Sequence, residues 1–256
     1  MGTEIGGVLT LEGASLKGAT DIQGRVTGYA LSADRAVIGG SVFCSPADGH
    51  RFEAEGTVRL MGATIGGQLA LDDAWLNAPK GLALAAERIS VSDATILAGG
   101  TAIVGMVNLM GATLSDLFVQ GEIKATTADA NALHLGDASL RRLWIDGLSG
   151  LGKVNLEGAT ADTFDGFYPE LWGDAPTATT GLELDLDGFT YRRADSAGRC
   201  LNAIAPGPDS HPGTPTPSPR MCWSCWTASF ATSRRAGSTI CRNRSRRRPG
   251  AARSGL

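Results

Sequence analysis

Five cysteines, three histidines and a few paired carboxylates are the side chains from which this chain would have to assemble a reactive site. Cys222-x-x-Cys225 has the spacing of half a tetrahedral zinc site. The other half would have to come from Cys241 and His211, in a stretch rich in Pro and Arg, so the two-pair pattern is incomplete and no metal is expected. Asp72-Asp73 and Asp185/Asp187 come nearest to the paired carboxylates that transfer protons in glycan hydrolysis. Neighbours along a strand point to opposite faces, so Asp72 and Asp73 converge only at a corner. Asp185 and Asp187 share a face, read as solvated. His50, His134 and His211 hold no common phase and have no Ser or Cys partner by sequence. The Gly-Gly pairs belong to no Gly-x-Gly-x-x-Gly that opens a helix, and there is no Walker lysine. On this reading no catalytic residue, cofactor-binding residue, metal ligand, cofactor or small-molecule substrate is assigned.

The elements that would position such residues show a far stronger pattern. Leu9-Thr10-Leu11-Glu12-Gly13-Ala14-Ser15-Leu16 returns as Val58-Arg59-Leu60-Met61-Gly62-Ala63-Thr64-Ile65. It returns again from Val107 to Leu114 and from Val154 to Thr160, at steps of 49, 49 and 47 residues. A second phrase, Ile-Gly-Gly, occurs at Ile5, Ile38 and Ile65, and a third pairs Ala30–Arg35 with Ala83–Arg88. Self-similarity at a fixed step marks a repeat architecture. Within each unit, apolar and polar residues alternate over a few positions, as in a short strand with one buried face. Gly-Ala steps permit a corner. Apolar groups recur about every 10 to 12 residues, as at Val58/Leu60, Leu69/Leu71 and Leu82/Leu84. No stretch in 1–160 has the 3.6-residue period of a helix. Asp146-Gly147 and Asp187-Gly188 occur singly, so hairpins are not expected to build the body.

The expected fold is therefore all-β: a parallel β-solenoid of short strands with small-residue corners, each strand pairing with its equivalent one turn above. A unit of 47–49 residues holds two turns of roughly 24. Leu60, Leu109 and Leu156 are expected to be buried and stacked in consecutive turns. Asn108 and Asn155 share a phase, which places them for a side-chain ladder or simply in solvent. Phe164, Phe167, Tyr168 and Trp172 interrupt the repeat before its last strand, as a plug over the coil end or as an aromatic patch for a partner. The chain enters at Ile5-Gly6-Gly7 without a polar cap, which suggests a coil that begins part-way along a longer array or that pairs end to end.

These phrases resemble a family of actinobacterial repeat proteins whose products are often labelled membrane-associated oxidoreductases. The resemblance covers residues 1–204 and includes Leu184-Asp185-Leu186-Asp187-Gly188-Phe189-Thr190-Tyr191, which looks like the family's last rung, about 181–191. It implies peripheral association with a membrane and a redox role through a cofactor domain that these residues lack. More distantly, the corners resemble those of pentapeptide-repeat and bactofilin-type solenoids, which are binding or scaffold proteins.

The rest of the chain differs. Residues 1–200 carry 25 Asp/Glu against 14 Lys/Arg, whereas 201–256 carry Asp209 and nine Arg. From 205 to 256 the branched aliphatics are Ile240 and Leu256, among seven Pro. Such a segment cannot bury enough apolar surface to order itself, so the expected division is a solenoid domain over 1–204 and a disordered tail over 205–256. Two readings account for the tail. One is an out-of-frame stretch, since Met221–Trp226 can be encoded so that a shifted frame reads Val-Leu-Glu-Leu-Leu. The other is a basic arm for nucleic acid through Arg242, Arg244, Arg246, Arg247 and Arg248.

Cys44 and Cys200 make no disulfide framework, the N-terminus has no signal-peptide pattern, and no apolar run is long enough to span a membrane. A cytoplasmic setting is expected. The function expected is a non-catalytic scaffold or protein-interaction module that meets a protein partner, or itself, through the faces or ends of the coil. The alternatives are the oxidoreductase implied by the resemblance and an acidic solenoid that mimics nucleic acid.

Overall fold

A computed structural model describes residues 2–165 and 182–194. Cys200, the Cys222-x-x-Cys225 pair, Cys241, His211, the tail over 205–256 and the aromatics Phe167, Tyr168 and Trp172 lie outside the described residues. The regular structure described is entirely β, nineteen strands in one continuous parallel sheet. The sheet coils on itself as a β-solenoid. Its cross-section has four faces, here A to D in chain order.

Register fixes which residues share a face. On face A the pairing runs Ile5, Ile38, Ile65, Val91, Leu114, Leu140, Ala161 and Tyr191. Face B stacks Leu9, Val42, Leu69, Thr95, Leu117, Leu143 and Phe164. Face C stacks Leu16, Ala54, Leu76, Ile103 and Ile123. Face D stacks Leu31, Val58, Leu84, Val107, Leu133, Val154 and Leu184. From Leu31 to Leu184 the chain thus makes about six turns. These ladders point inward and form one core, in which most residues are fully buried.

Corners are made by one device. Between faces D and A, the amides of Ala63, Ile89, Ala112, Ala138 and Ala159 donate to the carbonyls three residues earlier, at 3.0–3.2 Å. The residue before each is left-handed: Gly62 (φ 63°), Arg88 (55°), Gly111 (65°), Asp137 (56°) and Gly158 (67°). Positive φ at the third position is the signature of a type II turn and explains the recurring Gly-Ala. The same corner joins faces B and C at Gly13 (φ 64°) and Asp73 (φ 51°).

That shared device corrects the expected alignment. The phrase at Leu9–Leu16 sits at the corner between faces B and C, whereas its sequence relatives at Val58, Val107 and Val154 sit between faces D and A. Leu60, Leu109 and Leu156 are buried as expected, at no more than 1% exposure. They occupy alternate turns, however, with Ala86 and Leu135 at the same corner in between.

The 47–49-residue period comes from the corner between faces C and D. On alternate turns this corner is a single buried glycine: Gly56, Gly105 or Gly152, with φ of 113–118°. On the turns between, extra residues bulge out over 18–28, 78–81 and 125–130. A Cβ on Gly56, Gly105 or Gly152 would lie 2.6 Å from a backbone oxygen of the preceding loop, Gly28, Ala78 or Ala130 respectively. Two local antiparallel turns stand outside the expected pattern: Asp48-Gly49, both with positive φ (53° and 80°), turns between Ala47 and His50 in an excursion from the coil, and Thr20 bridges Val26 within the 18–28 loop.

Candidate functional site

The residues that could do chemistry are held apart. Asp72 and Asp73 do occupy a corner, but the geometry uses them structurally. Asp73 takes the left-handed position and its carboxylate accepts the Gly100 amide of the next turn. Burial pushes the Asp72 carboxyl above the ordinary carboxylate range, with a smaller push from Asp73, while its own backbone amide and a hydrogen bond with Ser45 pull it down. Asp185 Oδ1 accepts the Asp187 amide at 3.1 Å, an Asx turn that closes the last described corner. His50 stands exposed at the hairpin tip and His134 lies on face D, several turns away. Among the described residues no group of three or more His, Cys, Asp or Glu converges as a metal site. Cys44 is buried in the core, and desolvation pushes its thiol up to about 12, so it is no nucleophile near neutrality.

The other sequence candidates have structural work. Ile-Gly-Gly at Ile5, Ile38 and Ile65 stacks on three successive turns, with Gly39 donating to Ile5 and Gly66 to Ile38, each at 2.8 Å. A Cβ at Gly66 would meet the Gly39 oxygen at 2.4 Å, so these pairs serve close approach of the backbone. Asn108 and Asn155 form no ladder, because His134 intervenes on the turn between them. Each instead caps its own corner, through Met110 N–H at 3.1 Å and Glu157 N–H at 2.9 Å. Phe164 is buried against Phe189 and Tyr191, with ring centroids 5.4 and 6.1 Å away, and fills the end of the described coil.

What the inward period hid is the outer surface. Face A presents a hydroxyl ladder over six turns, Thr64, Ser90, Thr113, Ser139, Thr160 and Thr190. Face C is mixed and carries ion pairs, Lys17–Glu55 and Lys124–Glu122 at 2.8 Å and Arg51–Glu53 at 3.0 Å. On face D, Arg59 bridges Asp34 at 2.6 Å and the Tyr29 hydroxyl at 2.8 Å, and Asn108 donates to Glu87 at 2.8 Å.

Face B differs. On five successive turns its outward position is apolar: Phe43, Ala70, Ile96, Phe118 and Trp144, of which Ala70 is itself buried and the other four are half-buried. At the spacing of paired strands this stripe runs about 19 Å. Phe118 and Trp144 meet edge to face with centroids 5.7 Å apart. With Arg142 and Asp165 they line a shallow depression of about 220 Å³. Sequence reasoning missed the stripe because each member sits in a different phrase of the repeat. Only the register lines them up.

No helix among the described residues is long and apolar enough to cross a membrane. No family model, curated protein or solved structure matches the chain, so this repetitive parallel coil with an apolar stripe on one outer face stands without a matched relative.

Proposed function

We propose that the chain is a non-catalytic interaction scaffold that seats a protein partner on the outer stripe of face B. One observation carries the reading. Outward positions of a solvated strand are normally polar, yet five consecutive turns here place Phe43, Ala70, Ile96, Phe118 and Trp144 in one line. Contiguous apolar surface with a polar rim is the mark of an interface, and aromatic anchors such as Phe118 and Trp144 are the residues that dominate binding energy. Arg142 and the Arg141–Asp116 pair at 2.6 Å border the aromatic end of the stripe and supply orientation. The coil beneath is a continuous ladder of backbone bonds, so the stripe is presented pre-formed and loses little entropy on binding.

A photocrosslinking residue at position 118, introduced in the cells that make the protein, tests this. The expected result is one discrete adduct, lost when Trp144→Asp is added while the β spectrum is retained. Absence of any adduct, or an adduct unmoved by Trp144→Asp, would overturn the assignment. The redox role implied by the resemblance makes a different forecast: the purified chain would carry flavin absorbance or turn over a nicotinamide. Either would displace the scaffold reading.

A further inference from the structure

The corner between faces C and D alternates along the coil. Counting from the first described turn, chain stands out from it on turns one, three and five, at 18–28, 78–81 and 125–130. Turns two, four and six cross it on Gly56, Gly105 and Gly152, which have no side chain to fill the space. Neighbouring excursions are therefore two turns apart, about 9.5 Å at the spacing of paired strands. The gap on turn two is an open cleft of about 520 Å³. Val26 and Gly28 line one side of it, Ala78 and Pro79 the other, with Gly56 and Thr57 between them.

The chemistry of the cleft matches that of one excursion. Thr57 and Asn77 line the cleft, and their side chains make no hydrogen bond among the described residues, so both can meet a polar backbone that enters. Arg25 also lines it, with its side chain 57% exposed. Its Nε holds Asp21 at 2.7 Å, which leaves the two Nη groups for a second acceptor. The excursion at 125–130 reads Ala-Thr-Thr-Ala-Asp-Ala, and residues 126–129 are all exposed. Asp129 has no ion pair among the described residues. Small side chains let this backbone enter a gap one layer deep, and its carboxylate complements the Arg25 cation.

We propose that this corner is a self-association surface on which two copies of the chain interlock side by side, the 125–130 excursion of each entering the cleft of the other. The period of the coil supports it. A twofold axis perpendicular to the coil reverses the order of turns. Set midway between turns three and four, it carries turn five onto turn two, turn three onto turn four and turn one onto turn six. Every excursion then falls on a glycine turn, and Asp129 of each copy arrives beside Arg25 of the other. A second copy has protrusions at the period of these gaps by construction, which an unrelated surface does not. The contact is isologous and closes at two copies. It lies on a different edge of the coil from the face B stripe, and neither proposal depends on the other.

Sedimentation velocity of the full chain tests it. The wild type should sediment at twice the 26.4 kDa chain mass. Two variants of exposed loop residues should each shift it to the monomer with the β spectrum unchanged. Asp129→Arg sets like charges against each other at the cleft, and Ala128→Trp makes the excursion too bulky to enter. A covalent test locates the contact. With Thr57→Cys and Ala128→Cys together, mild oxidation should join two chains, and mass spectrometry of the digest should find residues 57 and 128 linked. Within one chain these positions are three turns apart, about 14 Å, too far for a disulfide. A monomeric wild type would overturn the proposal, as would a dimer that survives both Asp129→Arg and Ala128→Trp, or a dimer that forms no link between 57 and 128. A dimer lost on Trp144→Asp but kept in Ala128→Trp would overturn it equally, since it would place the contact on face B.

Discussion

Thr95 shows how strictly the coil sorts its residues. It stands on face B between Leu69 and Leu117, fully buried, and its hydroxyl has no hydrogen-bond partner. A buried hydroxyl without a partner costs about 1–3 kcal/mol. Thr95→Val keeps the shape and removes the cost, so it should raise stability by about 1 kcal/mol, read as a higher denaturant midpoint with an unchanged slope. An unchanged or lower midpoint would mean that the hydroxyl is satisfied in solution. Asp72 makes a pH-dependent case. Its carboxyl is raised in the fold, chiefly by burial, so the fold favours the protonated form. Its contribution is therefore fully present below the unfolded carboxylate pKa of about 4 and is lost as pH rises through the raised folded value. Asp72→Asn should flatten the stability profile across that acid window. A variant whose profile still falls there would assign the dependence to another group.

Corners carry the fold at the next scale. Gly105 and Gly111 are both glycines with positive φ, but they are not equivalent. Gly111 (φ 65°) is in the ordinary left-handed region, and a Cβ there would meet nothing nearer than Arg88 Cγ at 3.5 Å. Gly105 (φ 116°) is in a region that side chains rarely adopt, and its Cβ would lie 2.6 Å from Ala78 O and 2.9 Å from Gly81 O. Gly111→Ala should thus cost about 1 kcal/mol, and Gly105→Ala about 3 kcal/mol or more, in the same unfolding measurement. Equal costs would remove the distinction drawn between the two corner types. The same elements decide what the sequence made legible. Alternation and Gly-Ala steps announced short strands, corners and a two-turn period. They could not tell one corner from another, because every such turn needs a left-handed residue followed by a small one. Hence Leu9–Leu16 read as the equivalent of Val58–Ile65 while lying on different faces. The stripe of Phe43, Ile96, Phe118 and Trp144 was hidden for a related reason. Loop excursions of unequal length separate its members, so no fixed spacing links them until register is known.

For the whole molecule, the described coil is quasi-one-dimensional: each turn meets only its neighbours, and the four outer faces differ in chemistry. Two modes of association then have opposite responses to salt. Contacts through the apolar stripe of face B bury apolar surface, which the screening of exposed charge hardly touches. Attraction between residues 1–200, with 25 Asp/Glu against 14 Lys/Arg, and residues 201–256, with nine Arg against one Asp, is electrostatic. The Debye length shortens from about 14 Å at 0.05 M salt to about 4 Å at 0.5 M, so contacts of that kind fade over this range. Across that titration any assembly held by opposite charge should fade, as read by sedimentation or static light scattering. Deleting 205–256 should remove the salt-sensitive species. Larger species that are insensitive to salt would instead mean that strand edges or the face B stripe, rather than opposite charge, carry assembly.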